Sequence, residues 1–83
     1  MRKTMSNKEL YVKAFVKSFE VDESVLPGLR YMDVPEWDSV GHMGLIAELE
    51  ETFDIMMDTD DIIEFSSFEK GIEILKNNYA VEF

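Results

Sequence analysis

The chain has 83 residues, no cysteine and a formal net charge of −10. A domain of this size buries only about 60% of its unfolded surface, so one modest core is expected and the reading is a single domain over residues 1–83. Without cysteine there is no disulfide framework, no thiolate metal site and no thiol nucleophile, and the acidity argues against nucleic acid, whose phosphates it repels.

The first segment, MRKTMSNKEL, is charged with no apolar run behind it. It does not read as a signal peptide, and no stretch is long and apolar enough to span a membrane, which makes the cytoplasm the expected compartment. Five of the eight basic residues sit toward this end: Arg2, Lys3, Lys8, Lys13 and Lys17. Ser6-Asn7-Lys8-Glu9 fits a capping box, in which the serine accepts from a free backbone N–H and the glutamate reaches back. Leu10, Tyr11, Ala14, Phe15 and Phe19 then recur at helical spacing, with Val12 and Val16 beside them, and predict helix one over residues 6 to 19.

A long connection follows, EVDESVLPGLRYMDVPEW. Pro27-Gly28 marks a turn and Pro35 disfavours helix at Val34. Val25, Leu26, Leu29, Tyr31, Met32, Val34 and Trp37 are expected to pin this segment to the rest. A connection of such length inside a small domain is usually functional or contains a helical turn of its own.

Helix two is predicted from Asp38 or Ser39 to Phe53. Val40, Met43, Ile46, Ala47, Leu49 and Phe53 form the expected buried face, with Leu45 beside it, while Glu48, Glu50 and Glu51 point outward. Gly41 and Gly44 each cost up to about 1 kcal/mol against alanine in a helix, so a close backbone approach is expected there. After a connection at Asp54–Met57, acids at Asp58, Asp60 and Asp61 open a short helix over Asp60–Phe65. Ser66-Ser67-Phe68-Glu69 reads as a second capping box. Phe68, Ile72, Leu75 and Tyr79 give the stripe of a last helix ending near Asn77, and Tyr79–Phe83 reads as a tail. Three longer helices and one short one predict an all-α four-helix bundle.

Between Tyr31 and Glu69 there is no Lys or Arg, but twelve Asp or Glu. Such a field suits partners with basic patches, met and released quickly, and equally a solvated face that keeps the protein soluble. A hydrolytic Ser39–His42 pair has poor support: it lacks an opposed orienting acid and a Gly-x-Ser-x-Gly elbow. A calcium loop at Asp58–Glu64 fails because Ile62 and Ile63 stand where a ligand and a glycine belong, so no metal ligands are assigned. Met32, Met43, Met56 and Met57 are either gap-fillers or an adaptable interior for an apolar chain. Ser39 by itself reads as a helix N-cap, worth about 1 kcal/mol.

The ensemble resembles the acyl carrier protein family. Asp38-Ser39-Val40 is similar to its Asp-Ser-Leu motif, and the long loop, the acidic helix GHMGLIAELEETFDI, the short helix DTDDIIEF and the closing helix SSFEKGIEIL follow in the same register over residues 6 to 79. The resemblance implies a small four-helix bundle of acyl carrier protein type that is not itself an enzyme. It implies that Ser39, with Asp38 beside it, carries 4′-phosphopantetheine, placed there by a separate Mg-dependent phosphopantetheinyl transferase. The arm's thiol would hold acyl or aminoacyl groups as thioesters. Helix two becomes the recognition helix for that transferase and for acyl-handling enzymes with basic patches, through Asp38, Val40, Gly41, Gly44, Ala47, Glu50 and Glu51. Met43, Ile46, Met57, Ile62 and Phe65 are the expected lining of an acyl-chain cavity, and a monomer is expected. Gly41 and Gly44 replace acidic or larger residues, and Trp37 and His42 bracket the motif where bulk fatty-acid carriers have small or polar ones. These departures point to a stand-alone carrier for a specialised pathway: polysaccharide modification, an unusual lipid or a secondary metabolite. The competing readings are an unmodified acidic helical adaptor and, more remotely, a small metal-binding protein.

Overall fold

A computed structural model describes residues 5–83. The basic residues Arg2 and Lys3 lie outside the described residues. The helices are α1 (Asn7–Phe19), a single 3-10 turn (Glu23–Val25), α2 (Ser39–Phe53), α3 (Thr59–Glu64) and α4 (Phe68–Tyr79). Among the described residues there is no strand, only an isolated antiparallel bridge between Arg30 and Ser67. The fold is therefore small and all-α. Its radius of gyration, 12.1 Å, matches the value of about 12 Å expected for a folded chain of this length.

Local chemistry sets the helix ends. The Ser6 hydroxyl accepts from the Glu9 amide (3.1 Å) and the Glu9 carboxylate accepts from the Ser6 amide (2.8 Å), completing the expected box. The second expected box does not form. Ser67, not Ser66, caps α4 by accepting from the Lys70 amide, and the Glu69 carboxylate instead accepts from the Gly28 amide (2.9 Å). The register shifts because the long loop claims Glu69. The α3 helix starts and ends one residue earlier than expected, and α4 runs two residues beyond Asn77.

That loop is strapped to the start of α4. The Tyr31 amide donates to the Ser66 carbonyl and the Phe68 amide to the Leu29 carbonyl, both at 2.9 Å. Gly28, at φ +80°, supplies the left-handed turn between the buried Leu26 and Leu29. Trp37 is fully buried, Val34 half-buried, and the part-exposed Tyr31 ring packs edge-on against Trp37 (6.3 Å) and His42 (5.5 Å), whereas Val25 and Met32 are exposed and do not pin the loop as expected. A tight turn closes the segment: the Arg30 amide donates to the Asp33 carboxylate (2.8 Å) and the Met32 amide to the Trp37 carbonyl (2.9 Å). This turn sinks the indole into the core and leaves Asp38 at the mouth of α2.

Aromatic rings fill the centre. Trp37 stacks on Phe19 at 5.1 Å and meets Phe15 edge-on at 5.5 Å, while Phe15 meets Phe68 at 5.1 Å. Each such pair adds about 0.5–1.5 kcal/mol beyond area burial. The α2 helix contributes Ile46 and Leu49 from the expected face and Leu45 from beside it. Val40, Met43 and Ala47 are exposed and Phe53 is only half-buried. The buried Trp37 precedes the helix, and the first turn of α2 leaves Val40 and Met43 at the surface. In α4 the buried set is Phe68, Gly71, Ile74 and Leu75, with Ile72 and Tyr79 at its margin. The tail is anchored by the buried Val81, and the Phe83 ring lies 5.4 Å from Tyr11.

Tyr11 makes the core sensitive to alkali. Its hydroxyl donates to the Phe68 carbonyl at 2.8 Å in a buried site. Burial, reinforced by the nearby Glu69 charge, pushes its pKa well above the ordinary value of 10.0. A group raised in the folded state contributes stability that is whole below the unfolded value and falls as pH climbs above it. Tyr79 is raised as well, first by desolvation and then by its hydrogen bond to Asp61, and acts in the same direction. Urea midpoints should therefore fall as pH rises past about 10. Tyr11→Phe should lose about 1 kcal/mol near neutrality and show a shallower alkaline decline. An unchanged alkaline slope in Tyr11→Phe would contradict this account.

Candidate functional site

Ser39 is the first residue of α2 and is exposed. It is not the cap. Asp38 holds that position, with extended backbone, and its carboxylate accepts from the Gly41 amide at 2.8 Å. The Asp38 carbonyl accepts from the His42 amide at 2.7 Å. The expectation that Ser39 caps the helix is thus corrected: the aspartate one residue earlier reaches the third helical amide, and the serine hydroxyl has no hydrogen-bond partner among the described residues. The opening amides of a helix have no intrahelical acceptor, so Ser39 carries its hydroxyl at the positive end of a 15-residue helix.

His42, one turn on, is half-buried. The Trp37 indole N–H donates to His42 Nδ1 at 3.0 Å, and His42 Nε2 lies 2.8 Å from the Ile62 carbonyl. An indole can only donate, so Nδ1 is the bare nitrogen and Nε2–H donates to the carbonyl. The imidazole thus joins the loop, α2 and α3, and neither nitrogen is available to take a proton from Ser39. Sequence reasoning missed this role. The available signal was Trp37 itself, because a buried indole N–H needs an acceptor and His42 is the lone imidazole close by in the chain.

Beside Ser39 opens a mostly apolar cleft of about 360 Å³ between the start of α2 and α3. The exposed Ser39, Ser66 and Tyr31 stand at its rim. The exposed Met43 and Ile63 flank it as well, and the half-buried Ile62 and His42 and the buried Phe65 form its floor. Of the five residues expected to line an acyl cavity, the structure brings together Met43, Ile62 and Phe65. Ile46 and Met57 belong to the core instead, 2% and 6% exposed. The centre of the bundle is filled by Trp37 and the phenylalanines, and the cleft lies at its side. Met32 and Met56 point to solvent rather than into an interior.

The expected recognition residues divide. Asp38, Val40, Gly44, Ala47 and Glu51 are exposed, and positions 40, 44, 47 and 51 follow one another along a single helix face. Gly41 is not an open contact point. A Cβ there would collide with the Glu36 carbonyl, so the glycine is needed for close approach of the loop. Gly44 has nothing within 4 Å of that position, so no close approach within the chain requires a glycine there. Glu50 is half-buried and its carboxylate accepts from the Met57 amide (2.9 Å), which holds the α2–α3 connection. Glu48, expected to point outward, is half-buried and pairs with Lys17 at 3.3 Å. The two glycines should therefore respond oppositely to alanine. Gly41→Ala should destabilise by about 1–3 kcal/mol through overpacking, whereas Gly44→Ala should stabilise by up to about 1 kcal/mol. Chemical denaturation of the two variants checks this, and equal effects would contradict the assignment.

The α3 wall of the cleft is tied to α4. The Tyr79 hydroxyl donates to Asp61 (2.7 Å) and accepts from the Asp58 amide (2.8 Å), and Asn78 also donates to Asp61 (3.0 Å). Among the described residues, no group of three or more Asp, Glu or His side chains converges to hold a metal, and no helix is long and apolar enough to cross a membrane. Compared with known proteins, the chain matches no family model, no curated protein and no solved structure.

Proposed function

We propose that this chain is a cytoplasmic carrier of acyl carrier protein type, modified on Ser39 by 4′-phosphopantetheine. The observation that carries the reading is the placement of Ser39. Its hydroxyl is exposed and without a hydrogen-bond partner among the described residues, sits at the positive end of a long helix, and opens directly onto an apolar cleft. The residues present fit the group. The Ser39 and Val40 amides at the opening of α2 would be available to a phosphodiester on Ser39, and the helix dipole would favour its charge. Asp38 keeps its carboxylate on the Gly41 amide, so it orders the helix start while leaving the serine oxygen accessible. In a chain without cysteine, the bound arm supplies the thiol that holds an acyl or aminoacyl group as a thioester.

The partners in this reading are a phosphopantetheinyl transferase and acyl-handling enzymes with basic patches. The exposed stripe of α2 offers them Val40, Gly44 and Ala47 as a flat apolar strip, with Asp38 and Glu51 at either end. Exposed ion pairs of this kind each contribute about 0–1 kcal/mol and act mainly on encounter rate. The same stripe also supports a second reading, an unmodified acidic adaptor, because Val40 is 79% exposed on it. Intact mass separates the two. After incubation with coenzyme A, magnesium and a broad-specificity transferase, a carrier gains one phosphopantetheine and an adaptor gains nothing.

A further inference from the structure

The geometry points to His42 as the residue that limits how long an acyl chain on Ser39 the protein can shelter, making it a carrier of short chains. This inference rests on the carrier reading of Ser39. The cleft beside the serine is small, near the lower end of the range of about 300–1,000 Å³ found for small-molecule sites. Its floor divides it from the aromatic core. On the core side of His42, the Trp37 ring lies nearly parallel to the imidazole, 6.2 Å between centroids, and is fully buried. Phe65, the other ring of the floor, meets the imidazole at 5.9 Å and Phe15 at 6.2 Å. A chain running inward from Ser39 therefore meets the imidazole and the Phe65 ring, and on the imidazole side the buried Trp37 indole lies behind it.

The two floor rings differ in what holds them. Phe65 is held by packing alone, whereas His42 is held at both nitrogens, by the Trp37 indole and the Ile62 carbonyl. Swinging the imidazole aside would leave a fully buried indole N–H without its acceptor, a penalty comparable to or larger than the gain from sheltering one or two further methylenes. A chain that outgrows the cleft therefore turns out to solvent rather than displacing the ring. His42 is a specificity-limiting residue in this role, since it touches the cargo without taking part in thioester chemistry.

The test loads the full chain at Ser39 from butanoyl-, hexanoyl-, octanoyl- and dodecanoyl-coenzyme A, with loading followed by intact mass. The melting temperature of each form is then recorded, together with NOE contacts of a ¹³C-labelled terminal methyl. In the wild type the melting temperature should rise with chain length and then level off. At the plateau the methyl should contact His42 Cε1–H but not the Trp37 indole. His42→Ala should move the plateau at least one step up the series and bring the methyl onto Trp37. If His42→Ala does not fold, the wild-type contacts decide alone. A wild-type methyl on Trp37, no methyl contact to His42 at any length, or an unmoved plateau in folded His42→Ala would overturn the inference while leaving the carrier reading intact. No mass gain at Ser39 would remove both.

Discussion

Ser39→Ala should abolish the mass gain from coenzyme A completely while leaving the protein as stable as the wild type within about 0.5 kcal/mol. The second half of this expectation comes from the structure. An N-cap serine replaced by alanine would cost about 1 kcal/mol. Here the cap is Asp38, whose carboxylate accepts from the Gly41 amide, and the Ser39 hydroxyl bonds to nothing among the described residues. Asp38→Ala should accordingly show the cap penalty, and circular dichroism melts of the two variants would reveal the contrast. A folded Ser39→Ala that still gains one phosphopantetheine would move the attachment elsewhere. A wild type that gains nothing would leave the exposed α2 stripe and the adaptor reading in front.

Trp37→Ala should be the most damaging substitution to the fold, costing about 3–5 kcal/mol. The indole is fully buried, lies against Phe15, Phe19 and His42, and its N–H holds the imidazole. For a domain of this size that corresponds to a fall of roughly 15–30 °C in melting temperature. Total stability at this length is about 4–12 kcal/mol, so the variant would be close to unfolding. Trp37→Phe keeps most of the apolar fill but leaves His42 Nδ1 without its donor, and should lose less, about 1–3 kcal/mol. Tryptophan fluorescence cannot follow these variants, so amide exchange or calorimetry is the appropriate measurement. A melting temperature of Trp37→Ala within a few degrees of wild type would show that the aromatic centre is not what holds the loop to α2.

Both variants act through one short stretch, Trp37 to His42. The same stretch turns the loop into the core, caps α2, exposes Ser39 and closes the floor of the cleft. Fold stability and access to the serine are therefore coupled, and Gly41 is the point of contact between them. Its lack of a side chain lets the Glu36 carbonyl lie against the first turn of the helix.

The number, order and approximate limits of the helices were legible in the chain, because caps and turns are local chemistry. Ser6 with Glu9, Pro27-Gly28 and the Asp38-Ser39 step each act within a few residues. The position of Ser39 at a helix start was legible for the same reason. What the chain alone did not decide was which side of α2 faces inward. Its apolar residues nearly encircle the helix, so periodicity admits more than one buried face; Ile46, Leu49 and Leu45 face inward, while Val40 and Met43 lie at the surface beside the buried Trp37. The place of the cleft goes with that arrangement: Ile46 and Met57 are in the core, and Tyr31, His42 and Ile63 are at the cavity. Competition for partners at a distance decided the rest: Glu69 went to Gly28 rather than its own helix, Glu50 to Met57 and His42 to Trp37 and Ile62. Local hydrogen bonds are set by spacing along the chain. These distant ones exist only once the loop is folded against α2, α3 and α4, and they depend on the tertiary structure for that reason.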